Sequence, residues 1–126
     1  MALDMSTWLA NKLLDHVLRG DVYTPPADVW LSLHFADPGD TGASEVAGGS
    51  YARLASAWSA AGSGASTTTS SLTFLDMPSV EVTHLAAWDA ETGGHFLFRI
   101  TPTAPAAYTA GQDAFVAVGG LDATMS

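Results

Sequence analysis

The stretch VEVTHLAAWDAETGGHFLFRIT, Val80 to Thr101, reads as two β-strands joined by one tight turn. On the first arm Val80, Val82, His84, Ala86 and Trp88 share a face, while Glu81, Thr83, Leu85 and Ala87 share the other. On the second arm Phe96, Phe98 and Ile100 alternate with Leu97, Arg99 and Thr101. A period of two marks a strand, because successive side chains leave opposite faces of the pleat. Asp89-Ala90-Glu91-Thr92-Gly93-Gly94 supplies the turn. An Asp side chain bonds backbone ahead of it, and paired glycines accept positive φ without steric cost. Pairing Asp89 with Gly94 sets His84 opposite Arg99, and Phe96, Phe98 and Ile100 are expected to face the core.

Upstream, the sequence predicts one helix, over about residues 6–19. Ser6 or Thr7 caps it, and Met5, Trp8, Leu9, Leu13, Leu14, Val17 and Leu18 form a broad apolar stripe at helical spacing. Gly20 stops it and Pro25-Pro26 prevents continuation. Two readings of the stripe stand side by side: docking on an edge or open end of the domain, or, with Trp8 foremost, contact with another subunit.

Ala27–Ala36 follows as a strand, with Val29, Leu31, Leu33 and Phe35 toward the core and Trp30, Ser32 and His34 away from it. Turn formers from Asp37 to Gly42 break it, and Tyr51–Trp58 reads as the next strand. Residues 59–71, SAAGSGASTTTSS, hold no large apolar side chain. They read either as a flexible connector or as a Thr-rich strand ordered by a neighbour. Leu72–Leu75, Ala114–Val118 and Leu121–Met125 are short strands, and Pro102 and Pro105 mark an edge or crossing loop. Short strands with turns at this spacing predict a mainly β protein, an antiparallel β-sandwich or jelly-roll-like fold carrying one N-terminal α-helix. Residues 1–126 are expected to form one domain, with the sandwich over about 27–125.

Composition narrows function by exclusion. Thirteen acids face only Lys12, Arg19, Arg53 and Arg99, for a net charge of −9. Phosphate recognition needs a basic footprint, so nucleic acid is not an expected partner, and an anionic membrane surface is disfavoured likewise. Cysteine is absent, which removes disulfides and thiolate metal sites. No apolar run approaches the about 18 residues of a membrane helix, and the N-terminus lacks the pattern of a signal peptide. Charged residues amount to only 13%, so the polar surface is built largely from Ser, Thr, Gly and Ala, a composition suited to packing against neighbours.

Signals for catalysis are weak. His16, His34, His84 and His95 share no ligand-like spacing, so no metal site and no cofactor are expected. Asp37, Asp40 and Glu45 have the hard oxygens that calcium takes, but Pro38 and the nearby glycines explain that loop as a turn. No GxSxG elbow occurs, and Ser32, Ser56 or Ser59 would meet a histidine only by the accident of folding. No enzyme activity is expected.

Several segments, taken in order, do resemble a known family. They are Leu13-Leu14-Asp15-His16-Val17-Leu18-Arg19-Gly20; Tyr23-Thr24-Pro25-Pro26 leading to Val29–Phe35; Ala36-Asp37-Pro38; Glu45 through Arg53; Val82-Thr83-His84; the turn Asp89 to Gly94; and Ala110-Gly111-Gln112-Asp113. The chain resembles small virion structural proteins of tailed bacteriophages, of the tail-fibre-like kind. The resemblance covers nearly the whole chain and departs most at residues 59–71 and at Trp30, Trp58 and Trp88. It implies a non-enzymatic virion component made in the host cytoplasm. Two placements follow. A capsid decoration or cement protein on the outer shell is the leading expectation, since the chain has no stalk, heptads or shaft repeat. A tail-fibre or tail-tip module facing the host receptor is the alternative. The expected partners are other copies of the chain, a trimer first, and other virion proteins, the major capsid protein foremost. The candidate assembly interface is Trp8, Leu9, Trp30 and Trp58.

Overall fold

A computed structural model describes residues 3–125. In chain order the elements are β1 (Leu3–Met5), α1 (Thr7–Arg19), β2 (Val29–His34), β3 (Leu54–Ser56), β4 (Ala65–Thr67), β5 (Leu72–Phe74), β6 (Val80–Val82), β7 (His84–Trp88), β8 (Phe96–Ile100), β9 (Ala106–Tyr108), β10 (Ala114–Val116) and β11 (Asp122–Thr124). The fold is mainly β, every strand pair is antiparallel, and α1 is the one helix among the described residues.

Five strands form the main sheet, in the order β1-β8-β7-β2-β3. Leu31 and Leu33 of β2, Leu85 and Ala87 of β7 and Ile100 of β8 point from one face into the core. There they meet Leu72 and Phe74 of β5, Val82 of β6, Ala114 of β10, Met77 and Leu121. The opposing layer is therefore three two-stranded ribbons, β5–β10, β4–β11 and β6–β9, and not one continuous sheet. Together they give a sandwich-like packing.

The helix has the termini its sequence predicts. Ser6 is extended (φ −65°, ψ 154°) and its Oγ accepts the Leu9 N–H at 3.1 Å. Gly20, at φ +73°, closes the C-terminus in the left-handed region that glycine enters freely. The turn at Asp89 also forms as read. Its Oδ1 accepts the His95 N–H, its Oδ2 meets His95 Nδ1 at 2.8 Å, and Gly93 and Gly94 both take positive φ.

Elsewhere the decisive stretch departs from its expected form. Val80–Trp88 is two strands in two sheets: β6 pairs with β9, while β7 pairs with β2 and β8. Between them the inward set changes parity, from Val82 to Leu85 and Ala87. Both parities of this stretch carry apolar residues, so the hydrophobic pattern alone did not mark the switch at Thr83. The hairpin register is also shifted. Leu85 pairs with Ile100, Ala86 with Arg99 and Ala87 with Phe98; a β-bulge then returns Trp88 to Phe96. His84 thus lies opposite His34 of β2 and not opposite Arg99. Because of the bulge, Phe96 packs with Trp88 on the far face of the sheet, whereas Phe98 sits half-buried beside the main core.

Other expectations are corrected as well. Phe35 is 50% exposed, since β2 ends at His34 and the chain turns away. Residues 59–71 find partners inside the chain: β4 pairs with β11, Trp58 bridges Thr68, and Thr68 is buried. The region after Pro102 contains β9, and Leu3–Met5 joins the main sheet as its edge strand. Neither strand has an alternating pattern long enough to read.

Candidate functional site

The far face of the main sheet is covered by the loop between β2 and β3. Trp30, Ser32 and His34 from β2, Ala86 and Trp88 from β7 and Phe96 from β8 line it. At Gly42 (φ +77°) the backbone comes so close to the Trp88 ring that a Cβ would overlap it, and would crowd the Phe96 ring. Arg53 then lies over the indole, 3.8 Å from the Trp88 ring centroid.

Arg53 is the organiser of this face. Its Nε and Nη2 donate to the two carboxylate oxygens of Glu45 at 3.0 and 2.9 Å, a bidentate pair. Its Nη1 donates to the Ala90 and Gly93 carbonyls at 3.1 and 3.0 Å, so the guanidinium ties the β2–β3 loop to the hairpin turn. Tyr51 completes the unit by donating its hydroxyl to Glu45 at 2.9 Å and accepting the Leu33 N–H at 2.9 Å. Burial raises the Glu45 pKa, but hydrogen bonds from Arg53 and Tyr51 outweigh it and hold the carboxyl below its ordinary value. Burial raises the Tyr51 hydroxyl, which stays protonated. An open pocket of mixed polar and apolar lining lies beside this network, with Glu45, Tyr51, Arg53 and Glu91 among its walls.

Beneath the loop runs a buried polar chain. Trp88 Nε1 donates to Ser32 Oγ at 2.8 Å, Ser32 Oγ meets His34 Nε2 at 2.7 Å, and His34 Nδ1 meets the Ala43 carbonyl at 2.7 Å. A carbonyl only accepts, so the proton sits on Nδ1 and Ser32 donates to Nε2. Burial lowers the His34 pKa below 6.5, against the Ala43 carbonyl and the Glu45 charge, which raise it. Ser32 and His34, two residues apart on one face of β2, thus meet. Both are fully buried, however, and the histidine is held by a carbonyl rather than a carboxylate. The pair fastens the loop and offers no substrate an attacking oxygen.

The remaining polar candidates are dispersed. His16 Nδ1 meets the Asp21 carbonyl, His84 meets Thr83, and His95 pairs with Asp89. Asp37 accepts the Gly39 N–H and faces Arg99, Asp40 accepts the Thr7 N–H at the start of α1, and Glu45 holds Arg53. The three loop acids therefore turn to three different partners. No cluster of three or more metal-ligating side chains occurs among the described residues.

The four residues expected at an assembly interface do not form one patch. Leu9 is buried in the core. Trp8 is half-buried, stacked on His95 at 3.9 Å with its edge toward Tyr23. Trp30 packs with the Trp88 cluster on the far face, while Trp58 packs edge-on against Phe98 beside the main core. Exposed apolar surface lies instead further along the helix. Leu14 is 55% exposed, Val17 75%, Leu18 76% and Val22 87%. The first three belong to the apolar stripe visible in the sequence, beyond the turn that carries Trp8 and Leu9.

No curated protein matches this chain. The family described as Podophage GP4 fiber I protein gp80 matches residues 4–124. The chain belongs to that family, and is thereby a structural component of a bacteriophage virion.

Proposed function

We propose that the protein is a compact, non-enzymatic fibre module of a podophage-type particle. The observation that carries this reading is the extent of the family match: residues 4–124 take in the helix, the main sheet and all three ribbons. The fibre description therefore applies to the folded domain as a whole. In this reading the domain is held in place by other virion proteins. The non-enzymatic reading is supported by the burial of the Ser32–His34 pair and by the divergence of Asp37, Asp40 and Glu45.

Decoration of the capsid shell is the second reading. It is favoured by the net charge of −9, suited to an outer surface, and by the absence of a heptad or shaft repeat. Quantitative mass spectrometry of purified particles separates the two. A fibre module is expected in a copy number that matches the fibres, with gold-labelled antibody on the tail. Copies in proportion to shell lattice positions, with label over the head, would replace the fibre reading by decoration.

A further inference from the structure

His34 is fully buried on β2, a strand flanked by β7 and β3 in the main sheet. Its neutral state is fixed by the donors around it: Nδ1–H donates to the Ala43 carbonyl, and Nε2 accepts from Ser32, whose Oγ accepts the Trp88 indole N–H. A second ring proton has to sit on Nε2, where Ser32 now donates. The serine hydrogen must then turn away, and the Ala86 carbonyl, at 3.5 Å, is the acceptor it meets. The new charge is also poorly matched. Glu45 attracts it but is already gripped by Arg53, while Arg53 and His84, directly across on β7, repel it. Asp37, further out in the loop, faces Arg99 and His84, and the buried Tyr51 hydroxyl keeps its proton.

The backbone over this ring is lightly held. Residues 35–44 form no strand or helix, and within 37–44 Pro38 alone is buried. The ties are the His34 ring on the Ala43 carbonyl, the Phe35 N–H on the Ser44 carbonyl, Arg99 on the Gly39 carbonyl and the Asp37 carboxylate, and Gly42 against Trp88. Past Ser44 the hold is firmer, through the Val46 N–H on the Leu33 carbonyl and the Glu45–Arg53–Tyr51 network. Exposed backbone with few buried contacts opens at low cost, whereas a strand paired on both sides does not. Water therefore reaches an imidazolium at His34 most readily by lifting 37–44. That segment also grips the helix. Asp40 Oδ1 accepts the Thr7 N–H at 2.7 Å, a first-turn amide that has no partner within α1.

We propose that residues 37–44 are an acid-opened clasp: protonation of His34 lifts the segment, which frees the Thr7 end of α1 from Asp40 and parts Gly42 from Trp88. In the open form the ring has its ordinary value of 6.5, and in the closed form burial holds it lower. The open form therefore binds the proton more tightly, and falling pH drives opening by up to about tenfold per pH unit between the two values. The clasp couples the proton concentration around the protein to the hold on its helix. It is independent of where on the particle the protein sits.

Amide hydrogen exchange, read residue by residue by NMR and corrected for the intrinsic effect of pH, tests this. It is compared at about pH 7.5 and about pH 5, where Glu45 and Asp89 remain charged. Opening at Phe35, Gly42, Ala43 and Thr7 should rise about tenfold or more on acidification, while β7 and β8 stay protected. His34→Gln should hold all four amides at their neutral-pH level. Asp40→Ala should leave Thr7 open at both pH values while the loop still responds. In the wild type, the His34 ring resonances should titrate with the midpoint of loop opening, a check that needs no variant to fold. Equal loop exchange at both pH values overturns the proposal, as does loss of protection in loop and sheet together. A response retained in His34→Gln, a Thr7 amide still protected in Asp40→Ala, or a midpoint apart from that of the His34 ring does so too.

Discussion

The Arg53 guanidinium lies flat on Trp88, 3.8 Å from the ring centroid, while its donors grip Glu45 and the carbonyls of Ala90 and Gly93. One side chain thus joins a loop, a hairpin turn and an aromatic cluster. Its side chain is only 9% exposed and that of Glu45 25%, so the pair is poorly replaced by water.

Removing Arg53 leaves Glu45 charged and partly buried without its partner. Arg53→Ala is expected to destabilise by about 2–4 kcal/mol, allowing for the solvent that still reaches Glu45. Arg53→Lys should recover less than half of that loss, because an ammonium supplies neither the fork nor the flat stack. Chemical denaturation measures both. An unchanged midpoint for Arg53→Ala would show that the guanidinium is incidental to the fold.

Gly42 should tolerate no side chain. Its φ of +77° is strained for other residues, and a Cβ would overlap Trp88. Gly42→Ala is expected to lower stability by about 1–3 kcal/mol through backbone strain and overpacking. Thermal melting reads the loss, and quenched Trp fluorescence would report displacement of the indole. A variant that melts with the wild type would mean that the loop does not rest on that ring.

Core position on β8 orders two further substitutions. Ile100 is fully buried, whereas Phe98 is half-buried against Trp58. Ile100→Ala should cost about 3–4 kcal/mol and Phe98→Ala about half as much, less than full burial of a phenylalanine would imply. The reverse order, measured by denaturation, would place the bulge at a different residue.

Stability should fall with acid in two stages. His34 has its pKa lowered in the folded state, so below 6.5 the unfolded chain binds the proton first. Its contribution is complete above pH 6.5 and is lost as the pH falls toward the folded pKa. Glu45 and Asp89, also lowered, add stability that is present above their ordinary values of 4.5 and 3.8 and disappears as the pH falls below them. A melting temperature that already declines between about pH 7 and pH 5.5 is expected, and His34→Gln should flatten that part of the curve. A wild-type curve flat across this interval would contradict a neutral buried His34.

What the sequence determined by itself is local. Ser6 and Gly20 mark the helix ends because capping depends on a side-chain oxygen and on a residue free to take positive φ. Asp89 with Gly93 and Gly94 marks the turn for the same kind of reason. The mainly β class follows from strand periodicity between turns. Tertiary structure decided which face of each strand is inside. Apolar residues occupy both parities of Val80–Trp88, so only pairing with β9, then with β2 and β8, fixes the switch at Thr83. In the sequence Glu45 carries the hard oxygens of a calcium ligand and Arg53 is one of four cations; with Tyr51 they become one network only when the β2–β3 loop folds over Trp88. The apolar stripe of α1 was legible, but the half that stays uncovered depends on where the domain ends beneath the helix. That boundary arises from contacts between residues distant in sequence, which no local pattern records.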